Sequence, residues 1–391
     1  MSAGLRRGLI KLACQALQAM LPSSLQSWGW AVRYEAAAIA DDSKALLFTL
    51  DSLCGLMPRA LASHLHQLFA SRIGEGATFS EGSTMNLFDG ILGRPRVLGI
   101  ICAIGAVVLG VVYMAVAGAP TRYLGINLGA LAIGLTMLAL PGRTIMAGQR
   151  WTDGAIVTMA GALLATALFG LQVDGAARWL SLGGLAIQPS LILLPVMIVA
   201  FSPIRSALST VGIIAAAAAM AIQPDRAMAG MLALSLAALA IIRRDRHVAL
   251  ALGASLIGFA ITLARADTLP AAPYVDQILY SSFDVHFGVG LLVLGGVALL
   301  LVPTIVGWRR DADNRATYAV FGAAWFAVIM AAAIGNYPTP IVGNGGSAII
   351  GYVLSLLALP KLPRVHAGAA ALICGTTEAS PSNRHLFAAL A

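Results

Sequence analysis

Residues 97–118 read VLGIICAIGAVVLGVVYMAVAG, a run with no charged side chain. As an α-helix this stretch is roughly 30 Å long, the thickness of the hydrocarbon core of a bilayer. Its residues do not alternate apolar and polar with period two, so a barrel strand is excluded and a helix is expected. Lipid offers no hydrogen bonds to the backbone, so only helices and closed barrels cross it. Working outward, further apolar runs recur near 123–141, 152–172, 187–203, 206–222, 227–242, 248–264, 285–306, 316–334 and 341–359. The chain is 59% hydrophobic and only 11% charged, which leaves too little polar side chain to cover a water-soluble fold of 391 residues. The fold class that follows is all-α: a polytopic membrane protein with about ten transmembrane helices.

The formal net charge of +8 is carried mainly by arginines at the ends of the apolar runs rather than by a continuous patch, which argues against nucleic acid as a partner. With the N-terminus inside, one side receives Arg94, Arg96, Arg143, Arg150, Arg205, Arg243, Arg244, Arg246, Arg309, Arg310, Arg315, Lys361 and Arg364. The other receives Arg122, Arg178, Arg226 and Arg265. Thirteen against four sets both termini of a multi-pass protein in the cytoplasm, and this demands an even number of spans.

Residues 1–75 have a different character. Leu9, Leu12, Ala13, Ala16, Leu17, Met20 and Leu21 recur at helical spacing, with Arg7, Lys11, Gln15 and Gln18 on another face. Pro22 ends that helix, a second runs near Ser27–Ala40, Asp41-Asp42-Ser43 caps a third, and Pro58 opens a fourth. The expected organisation is a small helical cytoplasmic domain over 1–75, a linker over 76–95, the membrane domain over 96–362 and a cytoplasmic tail over 363–391. The basic face of the first helix could instead rest on anionic membrane lipid. The apolar stretch at the N-terminus is interrupted by Lys11, Gln15 and Gln18 and is not a signal peptide. Cys14, Cys54, Cys102 and Cys374 have no metal-like spacing, and Cys102 reads as a small buried hydrophobe.

Four segments fall on the arginine-poor outer side. They are Gly175-Ala176-Ala177-Arg178-Trp179-Leu180 through Gln188-Pro189-Ser190; Gln223-Pro224-Asp225; the loop from Arg265 to Asp284, with Asp267, Asp276 and, just beyond it, His286; and Pro338-Thr339-Pro340 through Gly343-Asn344-Gly345-Gly346-Ser347. Each alone is an ordinary helix-breaking turn. Three acids in one loop of a charge-poor chain call for a partner or a function.

Taken in order over residues 95–362, these segments resemble the SEDS family (shape, elongation, division and sporulation), the FtsW/RodA-like peptidoglycan glycosyltransferases with ten spans. The stretch GAARWLSLGGLAIQPS is the most specific match. The resemblance implies polymerisation of a lipid II-type, lipid-linked glycan on the outer face of the membrane. It implies Asp276 as the catalytic base and Arg178 as a contact to the substrate pyrophosphate. Trp179, Gln188, Gln223, Asp225 and Ser347 are the matching candidates for substrate binding, and Arg226 and Asn344 join them by lying on the same face. Asp284 and His286 are nearby candidates for tuning or a metal contact. No metal site is assigned, and the cofactor stays unknown, with a divalent cation open. A single-span transpeptidase or another envelope-assembly protein is the implied partner. The sequence departs from the family at Leu191 and Leu194, where Glu and Lys are usual, and at Gly343-Asn344, where Ser-Tyr is usual. A non-catalytic scaffold of the envelope or division machinery is therefore the alternative. A flippase or transporter fits less well, because the spans carry almost no charge.

Overall fold

The structure, a computed structural model, describes residues 26–49, 94–139, 149–173, 176–183, 185–265 and 270–360, with scattered positions between 7 and 21 and at 51–52. Pro58, most of the expected linker, Asp267 and the tail beyond residue 360 lie outside the described residues. In the N-terminal part, α1 (Gln26–Ala38) is the second expected helix. The expected cap also forms: Asp41 Oδ1 accepts from the Ser43 N–H at 2.8 Å, at the start of a helical stretch over residues 42–49.

The membrane part consists of α2 (Pro95–Val116), α3 (Thr121–Ala139), α4 (Gln149–Phe169), α5 (Pro189–Phe201), α6 (Ala207–Ile222), α7 (Arg226–Ile242), α8 (Arg246–Leu263), α9 (Ile278–Val285), α10 (Phe287–Leu299), α11 (Val302–Arg310), α12 (Arg315–Ile334) and α13 (Gly346–Ser355). Among the described residues six helical stretches are long and apolar enough to cross a membrane: α2, α3, α4, α8, α10 with α11, and α12. Four shorter apolar helices stand beside them: α5, α6, α7, and α13 continued by a 3-10 turn. These ten segments coincide with the ten apolar runs, and the protein is an all-α polytopic membrane protein.

The shortness of α5 is offset by its surroundings. It is buried on every side, with Leu194, Met197, Ile198, Val199 and Phe201 fully covered, as expected for a helix apolar all round. It packs on α4, α7, α12 and α13. Gly351 of α13 lies against the Leu191 carbonyl, an approach that any side chain at 351 would block. Around this axis α7 packs on α12 and α8, and α4 on α6. A second, smaller core joins α2 and α10 to the start of α9 and the turn before α13 through Tyr113, Met114, Ile278, Val289 and Val342. Cys102 is buried and unpaired, as its apolar setting predicts.

The connections sort into two faces. On one, Arg96 donates to the Leu359 carbonyl at 2.9 Å, Ser206 to Asp153 at 2.7 Å, and Arg205 pairs with Asp245 at 2.6 Å. On the other lie the four singled-out segments. One feature departs from the helical expectation there. Three short strands form an antiparallel meander, β1 (Leu171–Val173), β2 (Ala176–Leu182) and β3 (Leu185–Ile187), in the order β1-β2-β3. Leu182 pairs with Leu185 across Gly183-Gly184, and Gly183 has φ +57°. A two-residue hairpin turn needs such a left-handed position, and Gly183 supplies it without the strain of a side chain.

Candidate active site

The meander positions Arg178. In β2, Trp179 pairs with Leu171 of β1 and Leu180 with Ile187 of β3, so the strand is held on both sides. Arg178 is 4% exposed, and its guanidinium donates to the Pro224 carbonyl at 2.5 Å, with Cζ 6.0 Å from the Trp179 ring centre. A buried guanidinium requires such partners. The carbonyl of the Gln223-Pro224-Asp225 turn thus anchors the cation of the first motif.

Asp225 forms the knot behind this anchor. It is 1% exposed and caps α7, with Oδ1 accepting from the Met228 N–H at 3.2 Å. Its Oδ2 accepts from Gln188 Nε2 and from Ser190 Oγ, each at 2.9 Å. The Gln188 N–H in turn donates to Ser347 Oγ at 3.0 Å, which ties the start of α5 to the start of α13.

The opposite wall is built from two paired loops. Asp276 and Pro338 form an isolated antiparallel bridge, the Thr339 N–H donates to the Val275 carbonyl at 2.9 Å, and the Asn344 N–H to the Tyr274 carbonyl at 2.7 Å. Three residues of these loops are left-handed without being glycine: Tyr274 at φ +62°, Gln277 at +56° and Ile341 at +68°. Each costs about 1 kcal/mol or more, so the surrounding contacts must enforce the shape. The amphipathic α9 follows and buries Ile278, Leu279 and Ser282.

Between the walls lies a cleft of about 470 Å³. Arg178 and Asp276 are the charged residues among its lining. Gln188, Asn336, Tyr337, Asn344 and Ser347 add polar groups, and Leu191, Ala227, Met228 and Val328 give an apolar floor. Asp276 Oδ2 accepts from the Ala272 N–H at 2.8 Å, while Oδ1 is buried with no partner among the described residues. Burial pushes the Asp276 carboxyl above the ordinary carboxylate value, and the Ala272 hydrogen bond offsets part of that rise. Asn344 Oδ1 is likewise buried and unpartnered. The cleft therefore joins a proton acceptor held at raised basicity, a buried cation and an unpaired amide oxygen.

Of the residues singled out in the sequence, Asp276, Arg178, Trp179, Gln188, Asn344 and Ser347 line this cleft together. Gln223, Asp225 and Arg226 are not among the lining residues. Gln223 is fully buried and donates to the Leu163 carbonyl at 2.9 Å. Both Asp225 oxygens are engaged internally, and Arg226 donates to the Arg265 carbonyl at 2.8 Å. Asp284 is exposed and outside the lining, while His286 Nδ1 accepts from the Gly288 N–H at 3.0 Å and caps α10. Among the described residues no three His, Cys, Asp or Glu side chains gather as metal ligands do. Sequence reasoning missed Asn336, Tyr337 and the buried Asn127. Only Asn127 carried a signal, as an amide inside an apolar run.

No protein-family model and no curated protein sequence matches the chain. Among solved structures, the chain is similar to the crystal structure of the rod shape determining protein RodA of Thermus thermophilus, at 20% identity and a TM-score of 0.48, over 66% of this chain and 93% of that one. It is similar to an aspartate-to-alanine mutant of that protein at 20% identity and a TM-score of 0.46, over 66% and 94%. It is also similar to a chain from a structure described as the structural coordination of polymerization and crosslinking by a peptidoglycan synthase complex, at 20% identity and a TM-score of 0.45, over 66% and 94%.

Proposed function

We propose that the protein is a glycosyltransferase that polymerises a lipid-linked glycan of the lipid II type at the outer face of the bacterial inner membrane. The observation that carries this reading is that Asp276 and Arg178, the two residues which the motif resemblance assigns to the reaction, line one cleft although they come from distant segments. A sugar hydroxyl entering the cleft gives its proton to Asp276 Oδ1, the carboxylate oxygen left without a donor. As that proton leaves, the hydroxyl oxygen bonds to the anomeric carbon of the second glycan. The bond from that carbon to the pyrophosphate breaks, and its electron pair departs with the pyrophosphate. Arg178 lies in the cleft wall with its charge already desolvated, which strengthens its attraction for the departing anion.

The experiment is polymerisation of purified lipid II by the full-length protein in nanodiscs, with and without a single-span transpeptidase partner. Wild type should form glycan strands and Asp276→Ala should form none while remaining folded. Full activity of Asp276→Ala would remove Asp276 as the base.

A second reading is a scaffold of the envelope machinery. One observation favours it: the cleft floor carries Leu191, 5% exposed, where the family pattern has Glu, and outside the lining the fully buried Leu194 stands where it has Lys. Absence of polymerisation together with stable capture of a transpeptidase would decide for the scaffold.

A further inference from the structure

Asn127 is fully buried inside α3, a helix that turns most of its surface outward. Its amide reaches across to two peptide groups of the turn that precedes α13. Nδ2 donates to the Gly343 carbonyl at 2.7 Å, and Oδ1 accepts from the Gly345 N–H at 3.2 Å. These partners fix the amide's orientation, since turning it over would set oxygen against carbonyl and NH₂ against N–H. The N-cap of α13 is Gly345, which has no side chain to offer the turn, so the polar contact comes from another helix.

Between the two gripped peptides sits Asn344. Its N–H donates to the Tyr274 carbonyl, two residues before Asp276, and its side chain lines the cleft. The Thr339 N–H on the Val275 carbonyl and the bridge between Asp276 and Pro338 continue the same connection. Gly346 rests on Ala130, one turn further along α3, so the turn has no room to slide past the amide.

We infer that Asn127 is a positioning residue: it clamps the 343–345 turn onto α3 and, through Tyr274 and Val275, fixes the loop that carries Asp276. The consequence for chemistry rests on the glycosyltransfer reading, whereas the clamp itself does not.

The test uses full-length protein in nanodiscs, with hydrogen–deuterium exchange read by mass spectrometry and lipid II polymerisation measured in parallel. Asn127→Leu removes both hydrogen bonds. The amides of Asn344, Gly345 and Thr339 should exchange about tenfold or more faster, while residues 350–355 keep their protection. The kcat should fall about tenfold or more with KM within about twofold, because a misplaced base weakens the transition state and not the ground-state complex.

Asn127→Asp keeps the acceptor for Gly345 but sets a carboxylate oxygen against the Gly343 carbonyl. At neutral pH it should behave like Asn127→Leu. In mildly acidic buffer, protonation restores a donor, and its exchange should return toward that of wild type at the same pH. Unchanged exchange at the three amides, loosening spread through all of α13, or a loosened turn with unchanged kcat would each overturn the inference. Should wild type fail to polymerise lipid II, the reading of the reaction fails, and exchange at Asn344 and Thr339 across the three proteins still decides the clamp.

Discussion

Asp276 gathers most of the consequences at the scale of single residues. On the proposed role as base, its loss should lower the polymerisation rate by about 10²–10⁴-fold, measured as strand synthesis by Asp276→Asn against wild type. Burial raises its pKa in the folded chain above the ordinary 3.8, so the folded state holds the proton more tightly than the unfolded one. The stability that this adds is fully present below the ordinary value and is lost as pH rises through the raised one. Asp276→Asn should therefore melt higher than wild type at neutral pH, and the difference should shrink as pH falls through the carboxylate range. Thermal unfolding of both proteins across pH checks the sign. Leu191 supplies a second test. Leu191→Glu buries a carboxyl in the cleft floor and should destabilise by about 1–3 kcal/mol; adding Leu194→Lys on the same helix should recover part of the loss. A double-mutant cycle on unfolding measures that coupling.

At the scale of elements, the start of α7 holds more than its own helix. Asp225→Ala removes a helix cap and takes from the Ser190 hydroxyl its acceptor and from the Gln188 amide the shorter of its two, leaving Gln188 Nε2 only Ser190 Oγ at 3.2 Å. The expected cost is about 2–4 kcal/mol, read as a lowered unfolding midpoint, with activity falling because Gln188 loses its anchor. The hairpin is the contrasting case. Gly183→Ala meets no neighbouring atom but must adopt φ +57°, so it should cost about 1 kcal/mol and leave polymerisation almost unchanged. Both glycines of that turn stand in the sequence as a hairpin signal. The apolar residues on either side, however, fit a membrane helix end equally well, and period alone does not separate the two over so few residues.

For the whole molecule, the ten apolar segments divide the connections into a basic face and a cleft face. The excess of arginine on the first predicts that it is cytoplasmic. In a chain without its native cysteines, Gln277→Cys should react with an impermeant maleimide added outside intact cells. Arg244→Cys should react only after the membrane is opened, and the reverse pattern would invert the topology. Both positions are exposed, so accessibility reports side and not burial.

The spans were legible in residues such as 97–118 because a bilayer imposes one requirement, a long uncharged helix, that composition alone expresses. The order of motifs likewise pointed to Asp276, Arg178, Gln188, Asn344 and Ser347 before any of them could be placed. What the sequence could not contain was which of its polar residues face a common space. Gln223, Asp225 and Arg226 belong to the same motifs, yet none lines the cleft: Gln223 is spent on the Leu163 carbonyl, Asp225 on the start of α7 and on Gln188 and Ser190, and Arg226 on the Arg265 carbonyl. Asn127 stands in an apolar run far from the turn it grips. Contacts of that kind join segments hundreds of residues apart, so only the packing of α3, α5 and α13 decided them. The linear chain sets which groups must find partners, and the tertiary structure alone sets which partners they find.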